Sequence, residues 1–429
     1  MLQFSDQPYE YFPPKPNRLI AWLGEWWSRR YLLAGPEHRI QSVTVENAGP
    51  LQKIQHEHGA RVLLLPNHST HSDPMIMAEA CRQVGVWSIF MAAYDVFLRS
   101  RAQGWVMQRM GAFSVNRDGS DRRSMKDAIA TVIDGRYALT VFPEGNVYFM
   151  NDRVTPFLEG PAYIAMKAQQ EMKDAGRIFA VPVSIKATHT TDARVVLQET
   201  LDHMAEQLGV EASGEDGIVQ QVHAVGVAMI RRNLSQRGFL PPNPDYTDLP
   251  KLLQQCARQI LNQLEAKMEL ASKEDDDLMD RIRTARREIH KVRSDPDREI
   301  DHAVAAGWAD EAIIAFRILS YAGNYLSENP TLDRVGETIE KMREDLYSRA
   351  FPAYADRAVT VRFGDPICVS EQLAAAAKPR LAMAALTDQF EAGVQAGLVG
   401  REREQPELRE QAAHVLRVAE PQVEREAVA

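Results

Sequence analysis

Between about residues 40 and 190 the chain alternates short apolar runs with stretches of helical period. The runs Ile40–Val45, Arg61–Leu65, Val86–Met91, Ala138–Phe142 and Ala180–Lys186 predict strands. Between them, Pro74–Val84, Arg101–Met110, Ser120–Asp134 and Pro161–Ala175 carry apolar residues three and four apart and predict helices. Strands that alternate with helices predict an α/β layer with a mixed, largely parallel sheet flanked by helices. From about 196 to 355 the strand pattern stops. Helices are expected over Gly217–Ser235, Leu249–Ala271, Asp275–Arg293, Asp310–Leu326 and Thr331–Arg349, with the Pro-rich PPNPDYTDLP breaking the first two apart. One more strand, Ala358–Phe363 (AVTVRF), follows and is ended by GDP, and Leu386–Val394 reads as a closing helix. No internal repeat of fixed period is present.

The simplest organisation assigns that last strand to the first layer. Residues 1–39 then form an irregular segment and an amphipathic helix, and 40–195 the α/β core. Residues 196–356 are a large all-helical insertion, 357–400 the closing strand and helix of the core, and 401–429 a polar tail with the composition of disorder. In the N-terminal part, Leu19–Leu33 (LIAWLGEWWSRRYLL) places Leu19, Trp22, Leu23, Trp26 and Leu33 on one helical face beside Arg29 and Arg30. Such a helix suits the headgroup region of a membrane, where aromatic rings sink and arginines stay wet. Packing on the protein's own core is the alternative. Gly24, Glu25, Ser28, Arg29 and Arg30 interrupt the run, and no stretch reaches the roughly 20 apolar residues of a membrane span.

Composition narrows the classes. The 429 residues are 45% hydrophobic and 25% charged, so a core of ordinary size can form. The net charge of -9 argues against general nucleic-acid binding, which wants a basic stripe. Cys81, Cys256 and Cys368 are odd in number and far apart, which reads as reduced thiols rather than a disulfide or zinc framework. The start, MLQFSDQPYEYFPPKPNR, lacks a basic region followed by an apolar run, so a cytoplasmic location is expected.

The chemistry concentrates where predicted strands end. Val62–Asp73 (VLLLPNHSTHSD) runs from an apolar strand into a turn bearing Asn67, His68 and, five residues on, Asp73. On a regular helix, positions five apart point about 140° from one another, but at a strand-to-loop corner the two side chains can meet. A carboxylate on one imidazole nitrogen fixes the tautomer and leaves the other as a general base, worth roughly 10²–10⁴-fold in rate. The alternative is that Asp73, followed by Pro74, only caps a helix. The spacing is also cheap, since His290 and Asp295 repeat it in a charged helical stretch with no strand before it. Gly111–Arg117 (GAFSVNR) is a short extended run that delivers Arg117 to a loop, beside Asp118 and Gly119, where it can hold a phosphate or carboxylate or simply sit on the surface. Leu139–Gly145 (LTVFPEG) ends a buried strand in Glu144 and Gly145. These could receive an acceptor hydroxyl, or could be a type II-like turn with a solvated glutamate. In Ala180–Lys186 (AVPVSIK), Pro182 signals an edge strand or a bulge, with plain core as likely as a pocket wall.

In this order and at these intervals, NHSTHSD, GAFSVNR, FPEG and VPVSIK resemble the four blocks of the glycerolipid acyltransferase family, which includes the lysophosphatidic acid acyltransferases. The likeness covers about residues 40–190, and Ala358–Ile367 is similar to the family's closing strand. The resemblance implies His68 as base and Asp73 as its orienting partner. Arg117 would hold the acceptor's phosphate, and Glu144 with Gly145 would position the acceptor, with Asn67 beside them. The donor would be acyl-CoA or acyl-carrier protein, a co-substrate rather than a cofactor, with no metal and no covalent serine. The acceptor would be a lysophospholipid or related glycerolipid at the inner face of a membrane. Two departures bear on the acceptor. Asn146 and Val147 stand where the family usually has threonine and arginine, and Leu158 and Glu159 precede Gly160 where a lysine is often found.

Two further readings belong to other classes. A catalytically weak relative could bind lipid and offer its helical insertion to a partner, an idea drawn from the altered third block. An esterase would want an activated serine, and G-x-S-x-G is missing. The absence of G-x-G-x-x-G and of a Walker phosphate loop argues against hydride transfer and nucleotide hydrolysis.

Overall fold

The computed structural model describes residues 9–117, 121–210, 217–273, 275–294, 302–375 and 378–399. The polar tail expected from 401, residues 1–8 of the N-terminal segment, Asp118, Gly119 and Asp295 lie outside these. The described chain forms two compact units. One runs from Tyr9 to Thr191 and resumes at Ala355, and the other is Asp192–Tyr354.

The first unit is built on an eight-stranded sheet. Its strands are β1 (Ile40–Glu46), β2 (Ala60–Pro66), β3 (Ser88–Ala93), β4 (Ala112–Val115), β5 (Ala138–Thr140), β6 (Arg177–His189), β7 (Arg357–Phe363) and β8 (Ile367–Cys368). The order is β1-β7-β6-β2-β5-β3-β4, with β8 also on β6. All neighbours along this path are parallel except β6 and β7; the short β8 is also antiparallel to β6. The strand that follows the helical segment thus enters the sheet between β1 and β6. One face of the sheet packs Leu63, Leu65, Phe113, Leu139, Ile178 and Ala180 against the helices Gly160–Met172 and Pro379–Leu398. The other buries Leu64, Val181, Val183, Val361 and Phe363 with Ile76, Met77 and Ala80 of the helix Asp73–Val84. Strands covered on both faces read as continuous apolar runs, which is why VLLL and AVPVSI carry no alternation.

Three local expectations change. Strand β6 has thirteen residues, six more than Ala180–Lys186, because it serves different neighbours along its length. Its β2 side pairs through Arg177–Val183, while the opposite side pairs with β8 at Phe179–Ala180 and with β7 at Val183–His189. Pro182 is therefore in an interior strand, not at an edge. Its carbonyl accepts the Gly364 N–H at 2.8 Å, so its nitrogen faces the same turn between β7 and β8, where the missing N–H costs no ladder bond. The face expected on Leu19–Leu33 also rotates. Arg18–Trp27 is α-helical but Ser28–Leu33 is a π-helix. The wider turn swings Leu33 into the core, at 3% exposure, and leaves Trp27, Tyr31 and Leu32 on the outside.

The second unit is helical among its described residues. A helix over Arg194–Leu208, not anticipated, precedes Ile218–Ser235, Leu249–Lys267, Leu278–Ser294, His302–Leu319, Tyr325–Glu328 and Leu332–Tyr347. One of its cores gathers Leu264, Ala285, Ile289, Ala309 and Ala312. Beside it, Arg281 forks onto buried Glu265 through Nε at 2.9 Å and Nη2 at 2.6 Å, the two-point geometry that makes a buried pair tolerable. The three cysteines are free and buried. No helix among the described residues is long and apolar enough to cross a membrane.

Candidate active site

In a parallel sheet the strands' C-terminal ends open together, and the loops leaving them form the natural crevice for a ligand. Here β2 delivers His68, β3 Asp95, β4 Arg117 and β5 Glu144 and Gly145. These strands are neighbours in the order β2-β5-β3-β4, so side chains far apart in sequence line one rim.

Asp73 is the first residue of its helix, while Ser72 holds the N-cap position without a side-chain cap bond. The carboxylate therefore does not cap forward; it turns back onto the loop. Its Oδ2 accepts from the Thr70 N–H at 2.8 Å and lies 3.0 Å from His68 Nδ1, and its Oδ1 accepts from the Thr70 hydroxyl at 2.8 Å. Asp73 is 1% exposed, whereas the His68 side chain is 16% exposed. With Nδ1 committed to the carboxylate, the imidazole holds its proton there and presents Nε2, for which the described residues offer no partner. Phe142 lies against the ring at a centroid distance of 4.4 Å and limits its rotation.

Glu144 is buried, not solvated. The Gly145 N–H bonds the Phe142 carbonyl at 3.1 Å, and among these residues only Gly145 has a positive φ, 74°. That is a type I pattern with glycine in the last position, not the type II-like turn expected. A Cβ on Gly145 would also come 2.8 Å from Leu158 Cδ1, so glycine is required twice over. Glu144 Oε1 accepts the His68 backbone N–H at 2.6 Å, and Oε2 accepts the Thr155 N–H at 3.0 Å and the Thr155 hydroxyl at 2.5 Å. Expected to receive the acceptor hydroxyl, this carboxylate instead braces the backbone of the histidine. Burial pushes its pKa up, against the three donors and the nearby His68, which pull it down.

Two consequences follow for Glu144→Gln. A glutamine must aim its NH₂ at one of the two backbone N–H groups, leaving that donor buried and unpaired at a cost of about 1–3 kcal/mol. The folded carboxyl holds its proton more tightly than the unfolded one, so its contribution is full below the ordinary value of about 4.3 and is lost as pH rises through the raised value. The gap in melting temperature between wild type and Glu144→Gln is thus expected to narrow as pH rises from about 4. Calorimetry across pH 4–8 checks both.

Asn67 is likewise occupied. Its Nδ2 donates to the Ile185 carbonyl at 3.0 Å and its Oδ1 accepts the Ile185 N–H at 2.7 Å, imitating a strand residue where β2 has ended. Asn151 does the same two residues further on, its Oδ1 accepting the Ala187 N–H at 2.8 Å and its amide donating to the Ala187 carbonyl. Asn67 thus extends the sheet and is 1% exposed, which removes it from the substrate-facing residues. The loop after Glu144 lies along the histidine loop through Tyr148 N–H to His68 O at 3.3 Å and Phe149 N–H to Ser69 O at 3.1 Å.

Arg117 reaches toward the same loop. Its Nη1 donates to Gly145 O at 3.3 Å and Asn146 Oδ1 at 3.0 Å, and its Nη2 lies 3.3 Å from Asp95 Oδ1. Its side chain is 27% exposed. The structure therefore joins His68 to Asp73 and Glu144 directly, and Arg117 to Gly145. Thr70, Thr155 and Asp95 were missed. Thr70 stands in the quoted NHSTHSD three residues before Asp73, a spacing that permits a local threonine–aspartate pair, but Thr155 and Asp95 carry no local signal.

The largely parallel α/β layer thus presents an oriented histidine–aspartate pair at its strand ends. Residues 42–186 match the family model Acyltransferase, and this segment belongs to that family, with the lysophosphatidic acid acyltransferase-like arrangement of its blocks. The matched segment runs from within β1 through most of β6 and holds His68, Asp73, Arg117 and Glu144. No curated protein matches the chain.

Proposed function

We propose that this acyltransferase moves a fatty acyl group from acyl-CoA or acyl-carrier protein onto a hydroxyl of a lysophospholipid or related glycerolipid, with no further cofactor. The observation that carries this reading is the 3.0 Å contact of His68 Nδ1 with a carboxylate already anchored by Thr70. In this mechanism Nε2 takes the acceptor's hydroxyl proton as that oxygen attacks the thioester carbonyl. The tetrahedral intermediate collapses by breaking the carbon–sulfur bond, and the imidazolium returns the proton to the departing thiolate. Products are an ester and a free thiol. Arg117, through its remaining N–H groups, orients the acceptor's polar head. The test is thiol release by the full chain from a long-chain acyl thioester with and without lysophospholipid. Acceptor-dependent release supports the reading. Equal release without acceptor would make the protein a thioesterase, and none across donors and acceptors would favour the lipid-binding, partner-docking alternative.

The reading includes a peripheral position on the inner, cytoplasmic face of a membrane. It is supported by the exposure of Leu19, Trp22, Leu23, Trp26, Trp27 and Tyr31, with Arg29 and Arg30 among them. The neighbouring helix Arg101–Met110 adds Trp105, half exposed, beneath Arg109 at 5.3 Å from the ring. The two helices pack closely: a Cβ on Gly24 would meet Met110 Sδ at 2.6 Å. Changing Trp22, Trp26 and Trp27 together to Ala is expected to lower flotation with phosphatidylglycerol vesicles at least tenfold, because each ring contributes apolar burial and the arginines alone bind weakly. Flotation equal to wild type would remove the anchor.

A further inference from the structure

Strands β3 and β4 run parallel with Ala93 beside Val115, so the chain positions two residues beyond, Asp95 and Arg117, emerge side by side at the rim. They form an ion pair at 3.3 Å whose members are 27% and 30% exposed, so neither is fully solvated nor locked in the core. Arg117 spends two N–H groups of Nη1 on Gly145 O and Asn146 Oδ1 and one of Nη2 on Asp95. A guanidinium has five N–H groups, so two are left without a partner among the described residues. A ligand there would approach a charge that Asp95 already offsets, and would share Nη2 with that carboxylate. Asn146, the other side chain on Arg117, brings no positive charge to replace what Asp95 removes.

We propose that Asp95 determines acceptor selectivity: by pairing with Arg117 it weakens the hold on a phosphomonoester and narrows the advantage of phosphorylated over uncharged hydroxyl acceptors. This rests on the reading that Arg117 faces the acceptor. Asp95 acts through Arg117 and touches no reacting atom, so it tunes KM more than kcat. Partly exposed pairs contribute up to about 1 kcal/mol, which is about a fivefold change in an equilibrium constant.

The experiment compares wild type with Asp95→Asn, which keeps the side chain's shape, and Asp95→Ser, in the full chain. Glycerol 3-phosphate binding is measured by calorimetry with glycerol as the uncharged control. In parallel, kcat and KM are determined for a lysophosphatidic acid and a monoacylglycerol with one acyl donor. Both variants are expected to bind glycerol 3-phosphate about threefold to fivefold more tightly, with glycerol unchanged. The ratio of kcat/KM for phosphorylated over neutral acceptor should rise by the same factor, through KM. Unchanged or weaker glycerol 3-phosphate binding overturns the proposal, as does an equal loss of kcat with both acceptors, which would mean that Asp95 merely holds Arg117 in place. Binding is read without turnover. Tighter binding in a protein that transfers no acyl group would therefore keep the Asp95 assignment and sink the catalytic reading.

Discussion

Replacing His68 with alanine is expected to lower acceptor-dependent thiol release by about 10²–10⁴-fold while the protein stays folded. On the proposed mechanism the rate loss follows from removing the positioned base, since an acceptor hydroxyl attacking a thioester must shed its proton. The fold survives because the ring is at the surface end of the loop and its partner is not orphaned: Asp73 still accepts from the Thr70 N–H and hydroxyl. The backbone N–H that Glu144 holds is also retained in alanine. The stability change should therefore stay near 1 kcal/mol, as for loss of one ordinary hydrogen bond. Melting curves together with initial rates at saturating donor separate the two effects. Activity within threefold of wild type would remove His68 from the reaction.

Asp73→Asn is expected to cost less than the tautomer error that such a change often introduces. In the native loop Oδ2 faces two obligate donors, the Thr70 N–H and His68 Nδ1–H, whereas Oδ1 faces a hydroxyl that can rotate and accept. The amide oxygen should settle at the Oδ2 position and its NH₂ toward Thr70 Oγ1. The histidine then keeps its proton on Nδ1, and only the negative charge that steadies the imidazolium is lost. We expect a fall of about 10–10²-fold in kcat, against about 10³-fold or more for Asp73→Ala. The alanine leaves the buried Thr70 N–H unpaired and frees the ring to turn. Thr70→Val in the Asp73→Asn background should deepen the loss, because it removes the hydroxyl that directs the amide. Equal rates for the Asn and Ala variants would show that charge, not orientation, is all that Asp73 supplies.

How much of this site could be read in advance depends on how local each interaction is. His68 and Asp73 are five residues apart at a strand-to-helix corner, so their meeting was legible from the spacing together with the apolar run before it. Glu144 was legible as important but not in its task. That it holds the His68 backbone and Thr155 depends on β2 and β5 being sheet neighbours and on a loop folding back, neither of which a local pattern encodes. Asn67 was misjudged for the same reason. A polar residue after a strand looks free until β6 runs on past β2 and presents the Ile185 peptide to it. Asp95, in the first turn of the short helix Tyr94–Leu98, gave no sign, because an acid at a helix start is common and its partner sits 22 residues away.

The amino-acid sequence alone determined the elements: an α/β layer, a helical block after it, a returning strand, and a histidine–aspartate corner. Hydrophobic period and turn chemistry act over a few residues and need no partner to be recognised. Only the tertiary structure decided what the polar residues at the strand ends do. Which strands become neighbours sets whether a side chain meets solvent, a backbone donor or an opposite charge, and a carboxylate that has found three buried donors is no longer available to a substrate.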